Sequence, residues 1–161
     1  MSKELQLLVI HCTDTPPERE VTSDEIRHWH TDAPPQGRGW NQVGYTDMIH
    51  LDGHIENLVE FDNDNEVDLW EITNGAAGWN SIARHVVYVG GASKNRAPID
   101  TRTPAQRDAI LTYCKYMIFR YPKIKIAGHN DLNAGKACPS FNVARFLLAN
   151  GVSAKNVYKS V

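Results

Sequence analysis

Cysteine is scarce in this chain: Cys12, Cys114 and Cys138 are the only three. An odd count without a repeated spacing is no disulfide scaffold, so the chain reads as one folded in a reducing cytosol. Long apolar runs are also missing. No stretch approaches the ~18 apolar residues of a membrane span. The opening residues, Met1-Ser-Lys-Glu-Leu-Gln6, lead into only a short apolar run and lack the cleavage site of a signal peptide. Basic excess is absent too: the formal net charge is −2 and the pI about 6.4. That balance argues against nucleic acid as a main partner and, with no polybasic patch, against membrane insertion.

What is present suits one folded unit. A length of 161 residues, 42% hydrophobic and 22% charged, fits a single soluble domain over residues 1–161 with its core at about 7–148. There is no internal repeat, low-complexity segment or linker. The tail after Gly151 is too short for a separate cell-wall-binding domain, and the chain is expected to act as a monomer.

Leu7 to Cys12 is a short continuous apolar run, the pattern of a buried central strand. Thr22-Ser-Asp-Glu25 spells a capping box and predicts a helix over about Ser23 to His30, with His28 and His30 exposed. Ala33-Pro-Pro-Gln-Gly-Arg-Gly39 is a loop. Tyr45 to Leu51 and His54 to Leu58 flank Asp52-Gly53, a hairpin signal. His85 to Val89 reads as a second central strand ending at Gly90-Gly91. Thr103-Pro-Ala-Gln106 opens the clearest helix, with Ile110, Cys114, Met117, Ile118 and Tyr121 on one face and Pro122 at its end. Lys123 to Ala127 is a third strand, and Ser140 to Ala149 a last short helix. The expected fold class is α/β: a mixed central β-sheet flanked by helices. The six acids between Glu56 and Asp68 read as a solvated loop with a weak strand, since their spacing lacks the glycine and terminal glutamate of a calcium loop.

The chemistry concentrates in Ala127-Gly-His-Asn-Asp-Leu-Asn-Ala-Gly-Lys-Ala-Cys-Pro-Ser-Phe141. Imidazole and thiolate are preferred zinc ligands. His129 and Cys138 are nine positions apart, within reach of one metal across a loop. His11, at the end of an apolar strand, can open on the same sheet edge, where mixed α/β sheets place their sites. Singly, His11 reads as a satisfied buried histidine and Cys138 as a small buried hydrophobe. Together, two histidines and one cysteine leave a tetrahedral metal one open position, as catalytic zinc sites do. Cys12 alternates to the opposite strand face, Cys114 belongs to the core, and Trp40 and Trp79 either line a groove or pack. His50, His54 and His85 have no evident partner.

Six segments in order resemble the type 2 N-acetylmuramoyl-L-alanine amidases, which include zinc-dependent phage lysozymes and the peptidoglycan-recognition proteins. They are His11-Cys-Thr-Asp-Thr15, Gly39-Trp-Asn-Gln-Val-Gly-Tyr45, Leu51-Asp-Gly-His-Ile-Glu56, Val89-Gly-Gly91, Thr103-Pro-Ala-Gln106 and Gly128-His129 through Lys136-Ala-Cys-Pro-Ser140. The resemblance covers about Leu7 to Leu148. It implies the fold of that family, one Zn2+ held by His11, His129 and Cys138, and catalytic roles for Tyr45 and Lys136. The implied reaction is zinc-dependent hydrolysis of the amide between N-acetylmuramic acid and L-alanine in bacterial peptidoglycan. Lys136 would stabilise the oxyanion, and Tyr45 would hold the water or relay a proton. Cys138 stands where recycling relatives carry aspartate, which aligns the chain with the lytic branch. Two departures touch fine specificity: Thr46 and Gly75 stand where many members carry histidine.

The implied biology is a phage-type endolysin, cytoplasmic until a holin opens the membrane and releases it to the wall. Two other readings on the same fold are a non-catalytic peptidoglycan-binding module and a cytosolic muropeptide-recycling amidase. A polymerase-binding regulator is a third, with no feature of the sequence behind it.

Overall fold

The apolar run Leu7–Cys12 forms a strand buried along its whole length. In the computed structural model of the chain, which describes residues 1–159, it lies within a five-stranded sheet. The strands are β2 (Leu7–Cys12), β3 (Asp47–Ile49), β4 (Ile55–Asn57), β6 (Ala83–Tyr88) and β7 (Lys125–Gly128), in the order β4-β3-β6-β2-β7. Neighbours are parallel except for the β3–β4 hairpin, so the sheet is mixed. A separate antiparallel ribbon pairs β1 (Lys3–Glu4) with β5 (Glu66–Val67).

The period of two on each strand divides the core. Leu8, Ile10 and Cys12 of β2 join Val86 and Tyr88 of β6 on one face. Covering that face are α2 (Pro104–Arg120), through Ile110, Cys114 and Met117, and α4 (Val143–Ala149), through Val143, Ala144 and Leu147. On the other face, α1 (Ser23–Thr31) sets Ile26 against Met48, Val87 and Val89. Leu7, Val9 and Ala83 form a second apolar cluster there. His11 and His85 share that face and belong to neither cluster, so a polar seam separates the two.

Both expected capping boxes are present, Thr22 with Glu25 and Thr103 with Gln106. The second is also tied to the sheet: Thr103 Oγ1 donates to the Leu51 carbonyl at 2.7 Å, and Gln106 Nε2 to that of Val89 at 2.9 Å. Several boundaries differ from expectation. The hairpin strands are three residues each. The last helix starts at Val143, because Ser140 adopts a left-handed backbone (φ 67°) and Asn142 takes the cap by accepting the Arg145 N–H. A one-turn helix, α3 (His129–Leu132), was not expected. His28 is exposed, but His30 is buried: it falls one turn after Ile26, on the face that α1 turns inward. The acidic stretch folds around the buried Glu71, whose carboxylate accepts the N–H groups of Asp62 and Asp68. Its acids form no metal-binding cluster among the described residues.

His50 acquires two partners. Its Nδ1 lies 3.0 Å from Glu20 and its Nε2 2.9 Å from Glu56. Two carboxylates on one ring demand two N–H donors, which is the imidazolium. Burial opposes that charge, but the hydrogen bonds to Glu56 and Glu20 outweigh it and raise the pKa. A raised folded-state pKa adds stability that is complete below the unfolded value of ~6.5 and is lost as pH rises through the folded value. His50→Gln is therefore expected to lower the melting temperature in mild acid and to have little effect in alkali. A melting-temperature difference that stays constant across that range would contradict the ion-pair assignment.

Candidate active site

The parallel pairing of β2 with β7 sets Ile10 opposite Gly128. His11 on β2 and His129, the first residue after β7, therefore emerge side by side, with ring centroids 4.8 Å apart. The loop after α3 then folds back: Asn130 N–H donates to the Cys138 carbonyl at 2.8 Å and Lys136 N–H to that of Asn133 at 3.0 Å. Tyr88, fully buried on β6, donates its hydroxyl to the Pro139 carbonyl at 2.7 Å. Ser140 Oγ donates to the Gly91 carbonyl at 2.8 Å. Gly91 has φ +95°, and a Cβ there would stand 2.4 Å from Cys12 Sγ, so only glycine lets this turn close against the end of β2.

Ligand atoms of His11, His129 and Cys138 lie within 4.8 Å of one another. His11 Nδ1 is 3.7 Å from Cys138 Sγ. A tetrahedral zinc, about 2.3 Å from sulfur and about 2.05 Å from nitrogen, spaces those two atoms about 3.6 Å apart. The donor set and its spacing thus fit a metal ion. The backbone N–H of Cys12 adds a hydrogen bond to the Cys138 sulfur at 3.3 Å. A hydrogen bond with Cys12 and burial raise the proton affinity of the Cys138 thiol, so a cation taken up here displaces that proton.

The surrounding imidazoles are neutral at neutral pH. Burial holds His11 well below the usual histidine range, helped by the neighbouring histidines. His85 is lowered to about 3, mainly by burial. His30 is lowered to about 4 by burial and the Arg38 charge, and His129 is lowered by burial and Lys136. Neutral rings keep lone pairs for a cation.

Tyr45 stands beside the donors, its ring centroid 5.2 Å from that of His11. Burial raises its pKa, so the phenol keeps its proton and acts as a donor. Lys136 is exposed, and the donors, Tyr45 and Lys136 all line one groove of about 1400 Å³. That is larger than the ~300–1000 Å³ typical of small-molecule sites and suits an extended substrate. Trp40 lines the same groove, with the Arg38 guanidinium 5.0 Å over its ring. Trp79 instead packs against the Leu7–Val9–Ala83 cluster.

Two neighbours of the site escaped the sequence reading. His30 Nδ1 accepts the Gly44 N–H at 2.9 Å and packs its ring edge against Tyr45. His85 Nδ1 lies 2.9 Å from His11 Nε2. Only the shared inward face of α1 and the presence of a histidine on each of two apolar strands hinted at them.

A neutral donor cluster at the C-terminal edge of parallel strands, open to a long groove with a phenol and an ammonium beside it, defines a hydrolase site with a candidate metal centre. The chain belongs to the N-acetylmuramoyl-L-alanine amidase family (Amidase_2), whose profile matches residues 1–141. It is thus an enzyme acting on the amide between N-acetylmuramic acid and L-alanine of peptidoglycan. Among curated proteins it is similar to the endolysin of Enterobacteria phage K11, 32% identical over 145 residues, which are 90% of this chain and 87% of the relative. It is also similar to the endolysin of Escherichia phage T7, 30% identical over 140 residues, 86% of this chain and 83% of the relative. Among solved structures, the amidase LysC of Clostridium intestinale URNW superposes with a TM-score of 0.69 at 22% identity, covering 93% of this chain and 87% of that one. Drosophila PGRP-LB superposes at 0.60 and 22% identity, covering 86% and 79%. These likenesses show the expected amidase and peptidoglycan-recognition fold.

The Tyr88 hydroxyl ties the Cys138 loop to the sheet. Tyr88→Phe leaves the buried Pro139 carbonyl without its donor, a cost of about 1–3 kcal/mol. Expected outcomes are a lower melting temperature and weaker metal uptake, read by denaturation and by competition with a chelator. Unchanged values for both would show that the loop holds itself.

Proposed function

We propose that His11, His129 and Cys138 hold one zinc ion, and that Tyr45 and Lys136 act on the scissile amide beside it. The observation that carries this reading is the convergence of three donor side chains, with ligand atoms within 4.8 Å of one another, in the groove that Tyr45 and Lys136 also line. When bound, zinc supplies a Lewis acid and lowers the pKa of a water molecule. The Lys136 ammonium, on its exposed loop, compensates the negative charge that develops on the carbonyl oxygen. Tyr45, kept protonated by burial, donates a hydrogen bond to the reacting groups: it either holds the water or hands a proton toward the leaving L-alanine nitrogen. Trp40, stacked under Arg38, gives a flat apolar wall against which a sugar ring can lie.

The endolysins among its relatives support a phage-type lytic role for this chain. In that role the enzyme acts as a monomer, stays in the cytoplasm of the producing cell, and reaches the wall after a holin opens the membrane. No described helix is long and apolar enough to cross a membrane. Expression alone should leave cells intact, and permeabilising the membrane should lyse them; prompt lysis without permeabilisation would overturn the delivery part.

The chemical reading is tested on purified sacculi, by loss of turbidity with new N-terminal alanine. His11→Ala, His129→Ala and Cys138→Ala should each abolish activity and lower zinc content, because two ligands hold zinc poorly. Lys136→Ala and Tyr45→Phe should keep zinc and fold while losing about 10²–10³-fold in turnover. Full activity with stoichiometric zinc in a ligand variant would refute that ligand. Loss of zinc in Lys136→Ala or Tyr45→Phe would refute a role on the substrate.

A further inference from the structure

We propose that His85 is a positioning residue for the metal centre: it accepts the Nε2–H of His11 and so leaves His11 Nδ1 as the bare lone pair that faces Cys138. The inference rests on the zinc reading above. In the parallel register His85 lies opposite Val9 and Val87 opposite His11, which places the two histidines diagonally on the same sheet face. His11 Nε2 and His85 Nδ1 are 2.9 Å apart. One proton fits between two neutral imidazole nitrogens at that distance. If Nδ1 of His11 binds a cation, the ring's own proton is on Nε2, and His85 Nδ1 is the acceptor. Ligating histidines are commonly oriented this way by a group on the other ring nitrogen, usually a carboxylate, a carbonyl or water. Here a second imidazole takes that place.

The surroundings argue against His85 as mere filling. It is fully buried, and its Nε2 finds no hydrogen-bond partner. An aliphatic residue, like Val87 and Val89 on the same strand face, would fill the site without an orphaned nitrogen. The chain also makes room for the ring at Gly75. A Cβ on Gly75 would stand 2.4 Å from His85 Nδ1 and 2.5 Å from Cγ. Thr46 is buried, its N–H donates to the His85 carbonyl at 2.8 Å, and its Oγ1 accepts the His85 N–H at 3.4 Å. Gly75 and Thr46, the two departures seen in the sequence, thus both meet His85, the first at its ring and the second at its backbone.

The test compares wild type with His85→Leu, which fills the volume without an acceptor, and His85→Asn, whose amide oxygen can stand near the Nδ1 position. Zinc affinity is measured by chelator competition, melting temperature on the metal-free proteins, and the His11 tautomer by 15N NMR of the zinc form. His85→Leu should lose about 10–100-fold in zinc affinity while the metal-free protein melts no lower than wild type. His85→Asn should recover most of that affinity, and wild-type His11 should carry its proton on Nε2. Unchanged affinity in His85→Leu, or a proton on His11 Nδ1 in the zinc form, would overturn the proposal. So would parallel loss of affinity and metal-free stability in both variants, which marks a packing role. Wild-type protein that takes up no zinc would overturn the metal centre itself, whereas failure confined to the His85 variants leaves that centre standing.

Discussion

Everything at the site hangs on the parallel register of β2 with its two neighbours. Pairing with β7 delivers His129 next to His11, and pairing with β6 delivers His85 and Tyr88. A slip of one residue in either pairing would turn a whole row of side chains to the opposite face. The apolar side chains resist that slip, because Leu8, Ile10, Val86 and Ile126 must stay against α2 and α4. The packing of the core on one face thereby sets the position of His11 on the other. The chemistry borrows its precision from hydrophobic burial several ångströms away.

That arrangement sets the electrostatics as well. The face that carries His11 is apolar on both sides of the seam, with Met48, Val87 and Val89 to one side and Leu7, Val9 and Ala83 to the other. Desolvation keeps the imidazoles neutral and the Tyr45 phenol protonated. The same low polarity that keeps the imidazole lone pairs unprotonated would make any additional charged side chain expensive. Lys136 escapes this cost because it sits on an exposed loop and reaches the groove from its rim.

Much of this was legible in the residues. The central strands, both capping boxes, the apolar stripe of α2 and the β3–β4 hairpin each follow from local patterns that the tertiary structure reinforces. The resemblance of six ordered segments brought His11, Tyr45, His129, Lys136 and Cys138 forward together, and the fold gathers all five about one groove. What stayed hidden depends on contacts between distant segments. His30 is buried because Trp40 and Tyr45 close over it, and nothing within α1 announces those rings. The last helix starts late because Ser140 is held by Gly91, a residue some fifty positions earlier. His85 gains its partner only from the register of β6 on β2, which an apolar pattern cannot specify.

Three buried polar residues around the site share a physical character. His30, His85 and Tyr88 are polar groups inside a hydrophobic interior, and each aims a polar atom at something that must be held: the Gly44 backbone before Tyr45, the His11 ring, and the Pro139 carbonyl after Cys138. A core selected for stability alone has little use for such groups, since each must find a partner or forfeit its solvation. Their presence is understandable if fixing neighbours in place outweighs that loss. A reactive centre whose groups are placed by buried partners needs no reorganisation when substrate arrives, which is the advantage preorganised polar sites hold over water. The interior of this enzyme is therefore best read as two layers of function: a hydrophobic frame that fixes strand register, and a sparse set of buried polar side chains that carry that register to the atoms at the groove floor.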